Sequence, residues 1–414
     1  MLKYWLWLTT RTGISTRMLQ QLLRQFSSPE AIWLAGVDEL RHVEGLKNPA
    51  SLLDKDLRGA EQILNDCYRK DVRILTYQDA AYPERLRNMS DAPLVLYYQG
   101  TLPAFDAEPV IAVVGTRKAS SYGLLQAKTL GYQLGKMGAV VISGGAYGID
   151  TMALKGALTA GRPVAAVLGC GVDVVYPASN TALFQDIRTH GCLISEYPPG
   201  TEALGAHFPV RNRILSGLSL GVLVVEAPRK SGALITANHA LEQGRDVFAL
   251  PGNVGSPTCE GNLQLLKDGA ILVEEGWDVM KEYVHLYPEL IHRRSKGIAM
   301  RLSRAEQAEQ EKQAERSERR VAAKTASPKK DDKKVIDKPQ KTHYIDLQGL
   351  LDTLSADERA AAQALADGPL HVDELIERTQ TPAGRVLAAL TLLELKGYVT
   401  RLPARRYALA ERKE

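Results

Sequence analysis

Six short apolar runs alternate with amphipathic stretches between residues 72 and 285. Runs that are apolar at every position are typical of strands buried on both faces, and a repeated strand–helix–strand order predicts a parallel sheet wrapped by helices. We therefore expect an α/β, Rossmann-like, doubly wound and mostly parallel sheet over residues 71–290. The runs are VIAVVG (110–115), VVISGG (140–145), PVAAVLG (163–169), CLISEY (192–197), GVLVVEA (221–227) and DVFALPG (246–252).

A second, helical domain is predicted before this sheet, over residues 1–70. STRMLQQLLRQF has apolar residues at helical spacing, and Ser15 or Thr16 is its expected N-cap. The turn HVEGLKN resembles those of helix-hairpin-helix modules, which bind phosphates through backbone amides, so a SAM or helix-hairpin-helix-like domain is expected. A packing module without a ligand is the alternative that the sequence leaves open.

Two further segments follow the sheet. Residues 293–341 contain 16 Lys and Arg against 8 Asp and Glu, a net charge of +8 in a chain whose total is +4. The remaining residues therefore sum to −4, and a charged linker is predicted over residues 291–344. Residues 345–414 have the pattern of three helices and a hairpin, which predicts a winged-helix domain. Its expected recognition helix has few cations, Arg385 and Lys396, which favours a weak DNA contact or a protein–protein role.

Several cofactor and metal motifs are missing from the sequence. The first predicted strand leads into GTRKASSYG instead of G-x-G-x-x-G, GCGVDV has Val174 in place of the third glycine, and no G-x-x-x-x-G-K-[ST] occurs. Cys67, Cys170, Cys192 and Cys259 form no C-x-x-C pair, so buried thiols are expected instead of disulfides or zinc ligands. No dinucleotide, ATP or metal cofactor is therefore predicted.

The glycine-rich turn SGGAYGID, residues 143–150, is the strongest candidate site. Its backbone amides at a helix start favour an anion, and Arg117 follows the neighbouring strand. The turn residues expected to bind are Ser143, Gly144, Gly145, Ala146 and Gly148. Close helix–strand packing is the alternative explanation of the glycines, although it does not account for Arg117 or for Arg211 and Arg213 on another loop.

The segment AHFPVRNRILSG adds an aromatic ring to these cations. Phe208 in a polar loop suits a stacked base, while Arg211, Asn212 and Arg213 would meet the backbone of the nucleic acid. Core packing of Phe208 remains the alternative. We expect two carboxylates to be structural: Asp150 would cap the helix after the glycine turn, and Glu226 would organise loop amides.

At this point the sequence resembles the DNA processing protein A (DprA/Smf) family, over residues 72–275. The motifs that carry the resemblance include VVGTRKASSYG (113–123), SGGAYGIDTMALKGAL (143–158), LGCGVDVVYPASN (168–180), HFPVRNRILSGLS (207–219) and VVEAPRKSGALITANHALEQGRDVFALPGN (224–253). The pocket residues that the resemblance implies are Arg117, Ser143, Gly144, Gly145 and Phe208.

The resemblance also implies a function. Such a protein binds single-stranded DNA without sequence preference or ATP hydrolysis, protects it, and loads the RecA recombinase onto it during natural transformation and homologous recombination. It would tolerate or displace single-strand-binding protein and form a homodimer through the Rossmann-like domain. This chain departs from the family pattern at three positions. Members often have a Lys three positions before the loop Phe, where this chain has Gly205. Leu154 replaces a usual His, and Asn262 is shifted by one position relative to the family's G-x-N-x-L-I motif.

An enzyme acting on a nucleotide is the competing hypothesis. Phosphoribohydrolases with a related fold resemble P-G-G-x-G-T-x-x-E, whereas this chain has PGNVGSPT and no evident acid–base pair. A binding protein, not an enzyme, is therefore predicted. The start MLKYWLWLTTRTG is too short for a signal-peptide core or a membrane span, and no apolar run reaches about 18 residues, so a cytoplasmic protein is expected.

Overall fold

The computed structural model describes residues 1–294, 354–366, 368–402 and 406–410. The chain separates into two compact units, Met1–Glu318 and Arg319–Glu414, which are described in turn. The charged linker was predicted over residues 291–344, and its residues 295–344 lie outside the described residues.

The first unit contains a nine-stranded sheet in the order β1-β2-β6-β5-β4-β3-β7-β8-β9. From β6 to β9 all neighbours are parallel, while β2 pairs antiparallel with both β6 and β1. The predicted doubly wound, mostly parallel α/β sheet is thus confirmed. The strands are β1 (Arg73–Thr76), β2 (Val95–Gly100), β3 (Val110–Val114), β4 (Val140–Ser143), β5 (Val164–Leu168), β6 (Cys192–Ser195), β7 (Gly221–Val224), β8 (Asp246–Ala249) and β9 (Ile271–Leu272).

Helices connect the strands and cover both faces of the sheet. Those before the sheet are α1 (Leu2–Thr9), α2 (Thr16–Phe26), α3 (Pro29–Leu34), α4 (Val37–Arg41), α5 (Ala50–Leu53) and α6 (Arg58–Arg69). Those within it are α7 (Glu84–Arg87), α8 (Ser121–Lys136), α9 (Ile149–Thr159), α10 (Thr181–His190), α11 (His207–Leu218), α12 (Gly232–Glu242), α13 (Glu260–Lys267) and α14 (Gly276–Met280). Residues 289–294 are also helical.

The apolar strand runs are explained by burial on both faces. Ile111 and Val113 of β3 belong to one hydrophobic cluster, and Val110, Ala112 and Val114 belong to the cluster on the opposite face. Each of these side chains is at most 4% exposed, so the strand contributes apolar area to two layers of helices.

The N-terminal helices pack on the sheet. Ser15 is the N-cap of α2, as predicted, and its side chain accepts a hydrogen bond from Met18 N. Trp7 of α1 is fully buried in the same cluster as Ile111, and Gln20 donates to Ala92 O over 3.1 Å. Residues 1–69 therefore form a helical layer that shares its core with the α/β domain.

The strand order fixes where a ligand can bind. From β3 the chain proceeds outward through β4, β5 and β6 on one side, and then returns to β7 on the other side. The loops after β3 and β7 consequently diverge, and in open α/β sheets this reversal opens a crevice at the carboxyl ends of the strands.

The second unit is a winged helix, as predicted. It comprises α15 (Ala356–Ala364), α16 (Val372–Thr379), α17 (Ala383–Leu395) and a sheet of β10 (Leu370–His371), β12 (Arg406–Leu409) and β11 (Val399–Leu402) in that order. Arg385 of α17 forms two hydrogen bonds of 2.8 Å to Asp357, and Lys396 Nζ lies 2.6 Å from Glu358. Both cations of the expected recognition helix are therefore neutralised within the unit.

Candidate nucleic-acid interface

A cleft of about 720 Å³ lies at the crevice between the loops that follow β3 and β7. Most of its lining comes from the loop after β3, the loop after β7 with the start of α12, and α11, and a few residues after β4, β5, β6 and β8 complete it. We call this space the switch-point cleft. The lining residues that matter below are Arg117, Lys118, Ala146, Asp150, Tyr176, Gly205, Phe208, Arg211, Asn212, Lys230, Ser231 and Thr236.

Arg117 and Phe208, two of the predicted site residues, lie together in the cleft. The exposed Arg117 guanidinium lies 5.0 Å from the centroid of the Phe208 ring, and no carboxylate of the described residues forms an ion pair with it. The Phe208 ring is half-buried and packs on Gly169, where a Cβ would lie 2.9 Å from the ring. The prediction of a loop is wrong here, because Phe208 lies in the first turn of α11.

Tyr176 was not identified from the sequence. Its exposed ring lies 5.5 Å from the Phe208 ring, with the planes tilted by 36°. Two aromatic faces and a guanidinium therefore lie together at one end of the cleft, and stacked bases need such surfaces. Tyr176 follows β5, which is itself a carboxyl-end position, and that was the available signal.

The glycine turn does not offer its amides freely to a ligand, and this corrects the sequence interpretation. The carboxylate of Asp150 accepts a hydrogen bond from Ala146 N over 3.3 Å. Burial raises the pKa of Asp150, while Arg211 and the amides of Ala146 and Gly144 favour its charged form. The hydrogen-bond acceptor at this helix start is thus a side chain of the protein itself. Gly148, not Asp150, is the N-cap of α9.

The remaining turn residues have packing roles. Ser143 is fully buried, and its hydroxyl donates to Val113 O over 2.6 Å. A Cβ on Gly144 would lie 2.5 Å from Arg211 Nη2, and one on Gly145 would lie 3.1 Å from the Phe184 ring. Ser143, Gly144 and Gly145 were expected in the pocket, but they lie behind its wall. Ala146 does line the cleft.

Gly148 acts on the cleft through the loop after β3. Its φ is +76°, and a Cβ there would lie 2.5 Å from Thr116 O and 2.9 Å from Arg117 O. Because this backbone can approach so closely, the loop that contains Arg117 rests directly on the start of α9. The glycine therefore positions Arg117.

The three polar residues of α11 have separate roles. Arg211 is 4% exposed and donates to the carbonyls of Gly144 and Val167, and burial lowers its pKa to about 10. Asn212 lines the cleft and donates to Gly232 O at the start of α12. Both residues support the wall.

Arg213 does not line the cleft, contrary to the prediction. It pairs with Glu196 at 2.7 Å and with Asp91 at 3.4 Å, outside the cleft. A cation that is held by two carboxylates has little capacity left for a phosphate. Arg213 therefore joins α11 to neighbouring loops.

Glu226 organises loop amides, as expected. Its Oε2 accepts hydrogen bonds from Ser120 N at 2.9 Å and from the Ser120 hydroxyl at 3.1 Å, and its carbonyl accepts one from Thr116 N at 2.7 Å. These bonds connect the loop after β7 to the loop after β3. The two sides of the crevice are thereby held at a fixed separation.

Lys118 and Lys230 are further cations of the cleft that the sequence interpretation did not use. Both are exposed, one on the loop after β3 and the other on the loop after β7. Gly205 also lines the cleft, and a Cβ there would meet nothing within 4 Å. The position of the missing cation is thus open space.

Two other features of the described residues bear on the predictions. All four cysteines are buried free thiols, and no group of three or more His, Cys, Asp or Glu is arranged to hold a metal. No helix in the described part of the chain has both the length and the apolar character that crossing a membrane requires.

Comparison with known proteins identifies the family. A family model described as DNA recombination-mediator protein A matches residues 73–284, and one described as DprA winged helix domain matches residues 348–405. Protein Smf of Synechocystis is 31% identical over 412 residues, 98% of each chain. The DNA processing protein DprA of Streptococcus pneumoniae is 36% identical over 66% of this chain and 95% of its own. Its X-ray structure superposes with a TM-score of 0.61, at 34% identity, over 68% of this chain and 98% of that one. The chain therefore belongs to the DNA recombination-mediator protein A (DprA/Smf) family.

Proposed function

We propose that the protein binds single-stranded DNA in the switch-point cleft and acts in DNA processing as a mediator of recombination. The observation that carries this proposal is the stacking of Arg117 on Phe208. The guanidinium is exposed and without an ion pair among the described residues, and the ring beneath it is half-buried. This combination suits a phosphate and a base of the same strand.

The half-buried position of the Phe208 ring favours binding of an unpaired strand. A base can stack on Phe208 only if its own face is uncovered, whereas bases in a duplex are covered by their neighbours. Stacking contributes about 1–3 kcal/mol per base and tolerates every base, because each has a π-face. Phosphate contacts are equally independent of sequence. Binding without sequence preference is the expected result.

The carboxylates support a binding protein over the nucleotide-processing alternative. Asp150 and Glu226, the two carboxylates expected to be structural, are only 6% and 1% exposed. Asp150 accepts the amide of Ala146, and Glu226 accepts that of Ser120. Each carboxylate thus has a structural task in the loops that surround the cleft.

The finer assignments rest on family membership. We propose that the protein protects incoming single strands, tolerates or displaces single-strand-binding protein, and loads RecA during natural transformation and homologous recombination. We also propose that it works without ATP hydrolysis, in the cytoplasm, as a homodimer through the Rossmann-like domain. The rate of RecA assembly on strands covered by single-strand-binding protein, with and without this protein, tests the loading step.

Fluorescence anisotropy with labelled single and double strands tests binding. Arg117→Ala should raise the Kd for oligo-dT, oligo-dA and mixed strands alike, by about tenfold, because a charge-assisted phosphate contact is lost. The log–log salt slope should fall by about 0.7. Arg24→Ala, which removes an exposed cation of α2 that does not line the cleft, is the matched control. Equal affinity of the two variants, or no binding of single strands by the wild type, would overturn the proposal.

A further inference from the structure

The two lysines of the switch-point cleft lie on loops that are held together. Lys118 follows β3 and Lys230 follows β7, and these strands are direct parallel neighbours. Thr116 N donates to Glu226 O over 2.7 Å, which joins the two loops close to the lysines. Neither ammonium group has an ion pair or hydrogen bond within the described residues, although both line the same cleft. Two unpaired cations therefore stand at one opening.

The floor of this opening carries a polar side chain, that of Thr236. Thr236 of α12 is 1% exposed yet lines the cleft, and its hydroxyl has no hydrogen-bond partner in the described parts of the chain. Because no hydrogen bond within the protein occupies it, this hydroxyl can donate to a ligand oxygen that enters the cleft. The first turn of α12 lies beside it, and the positive end of that helix dipole favours an anion.

Negative charge is scarce around these groups. Asp150 is the one carboxylate that lines the cleft in the part of the chain described, and it is 6% exposed. Burial raises its pKa, and Arg211 offsets its charge from the other side of the glycine turn. Lys118 and Lys230 thus face the opening without a competing surface carboxylate.

From these observations we infer a second phosphate subsite of the same strand, between Lys118 and Lys230 and above the first turn of α12, where the Thr236 hydroxyl donates to a phosphate oxygen. The inference rests on the proposed function and extends it. The first phosphate lies at Arg117, and the next one along the strand reaches the lysines. These lysines supply the positive charge that Gly205, with no side chain, leaves out of the opposite wall.

The test uses the full-length protein, labelled oligo-dT and four variants of the proposed subsite, beside the wild type, Arg117→Ala and a control. Lys230→Gln and Lys118→Gln should each raise the Kd about fivefold at low salt and lower the log–log salt slope by about 0.7, because one phosphate contact is lost. Thr236→Val keeps the shape of the side chain and should raise the Kd about threefold without changing the slope, since no charge is lost. Thr236→Ser, which restores a hydroxyl, should recover most of the affinity.

Arg229→Gln is the matched control. It removes one exposed cation beside Lys230 that does not line the cleft. Its Kd and salt slope should stay close to those of the wild type. Thermal unfolding of each variant establishes that the fold is retained.

The outcomes separate this inference from the proposed function. If Arg117→Ala weakens binding while Lys230→Gln and Lys118→Gln behave like Arg229→Gln, the second subsite is wrong and the cleft still binds DNA. If a lysine variant lowers affinity but Thr236→Val binds like the wild type, the hydroxyl contact is wrong. If the wild type fails to bind oligo-dT, both proposals fail together.

Discussion

Replacing Phe208 with alanine should weaken the binding of single strands without changing sequence preference. A base stacked on this ring contributes about 1–3 kcal/mol, which corresponds to a change in Kd of about 5- to 150-fold. The structure favours the lower part of this range. The Arg117 guanidinium already covers the ring at 5.0 Å in the free protein, and a base must share or displace that contact. Such a cation–π contact contributes about 0.5–1 kcal/mol at an exposed site.

The same substitution should cost stability, and the two effects have to be separated. Truncating a fully buried Phe to Ala costs about 3–5 kcal/mol, so a half-buried ring should cost about 2 kcal/mol. Phe208→Leu keeps much of the side-chain volume against Gly169 and removes only the aromatic face. Both variants should therefore bind weakly, while Phe208→Leu stays closer to the wild type in thermal unfolding.

Anisotropy titrations of oligo-dT, together with thermal unfolding, provide the measurement. Tyr68→Ala, which removes a ring that is 90% exposed on α6, is the control for the loss of an aromatic side chain. Phe208→Trp should retain binding, because a larger π-face remains. If Phe208→Leu binds oligo-dT as tightly as the wild type, the ring is a packing residue and the stacking argument is refuted.

Two further substitutions test the walls of the cleft. Gly148→Ala should lower the free energy of unfolding by about 2–4 kcal/mol, because backbone strain adds to a Cβ contact of 2.5 Å with Thr116 O. Gly161→Ala is the control, because Gly161 has a similar φ of +75° but open space around it. It should lower the free energy of unfolding by about 1 kcal/mol in the same denaturant titration. Equal costs would show that the packing of Gly148 on the Arg117 loop is unimportant. Gly205→Lys adds a cation to the cleft and should tighten oligo-dT binding and steepen the salt slope by about 0.7, whereas weaker binding would show that position 205 does not face the strand.

Local sequence pattern predicted most of the sheet. All six apolar runs form strands, because burial on both faces demands side chains that only such runs supply. The two edge strands β1 and β9, and β2 beside β1, were missed. β9 has two residues, too few to show a period, and β2 ends in half-exposed positions that blur its apolar pattern.

The F-P-x-R-N-R segment shows what a wrong local assignment costs. Taken as a loop, it placed Arg211, Asn212 and Arg213 together beside Phe208. As a helix it has a defined face, on which positions i, i+3 and i+4 coincide. Phe208, Arg211 and Asn212 therefore line the cleft, while Arg213 points to Glu196. Helical periodicity alone would have excluded Arg213.

The glycine turn shows a deeper limit of sequence analysis. Amides at a helix start favour an acceptor such as a carboxyl group, and here that acceptor is Asp150 from the same chain. Sequence spacing cannot distinguish an acid that caps a helix from one that folds back over the preceding turn. The glycines are needed because Arg211 crosses behind the turn, where a Cβ on Gly144 would obstruct its guanidinium.

The cations of the cleft depend on strand order, which no local pattern encodes. Lys118 and Lys230 are more than a hundred residues apart, and they share an opening because β7 returns to pair with β3. Had β7 paired with β6 instead, Lys230 would lie on the far side of the sheet from Arg117. The pairing of β7 with β3 thus both opens the cleft and places its positive charges close together. In the second subsite that we propose, Lys230 would supply the phosphate contact that Gly205 cannot make.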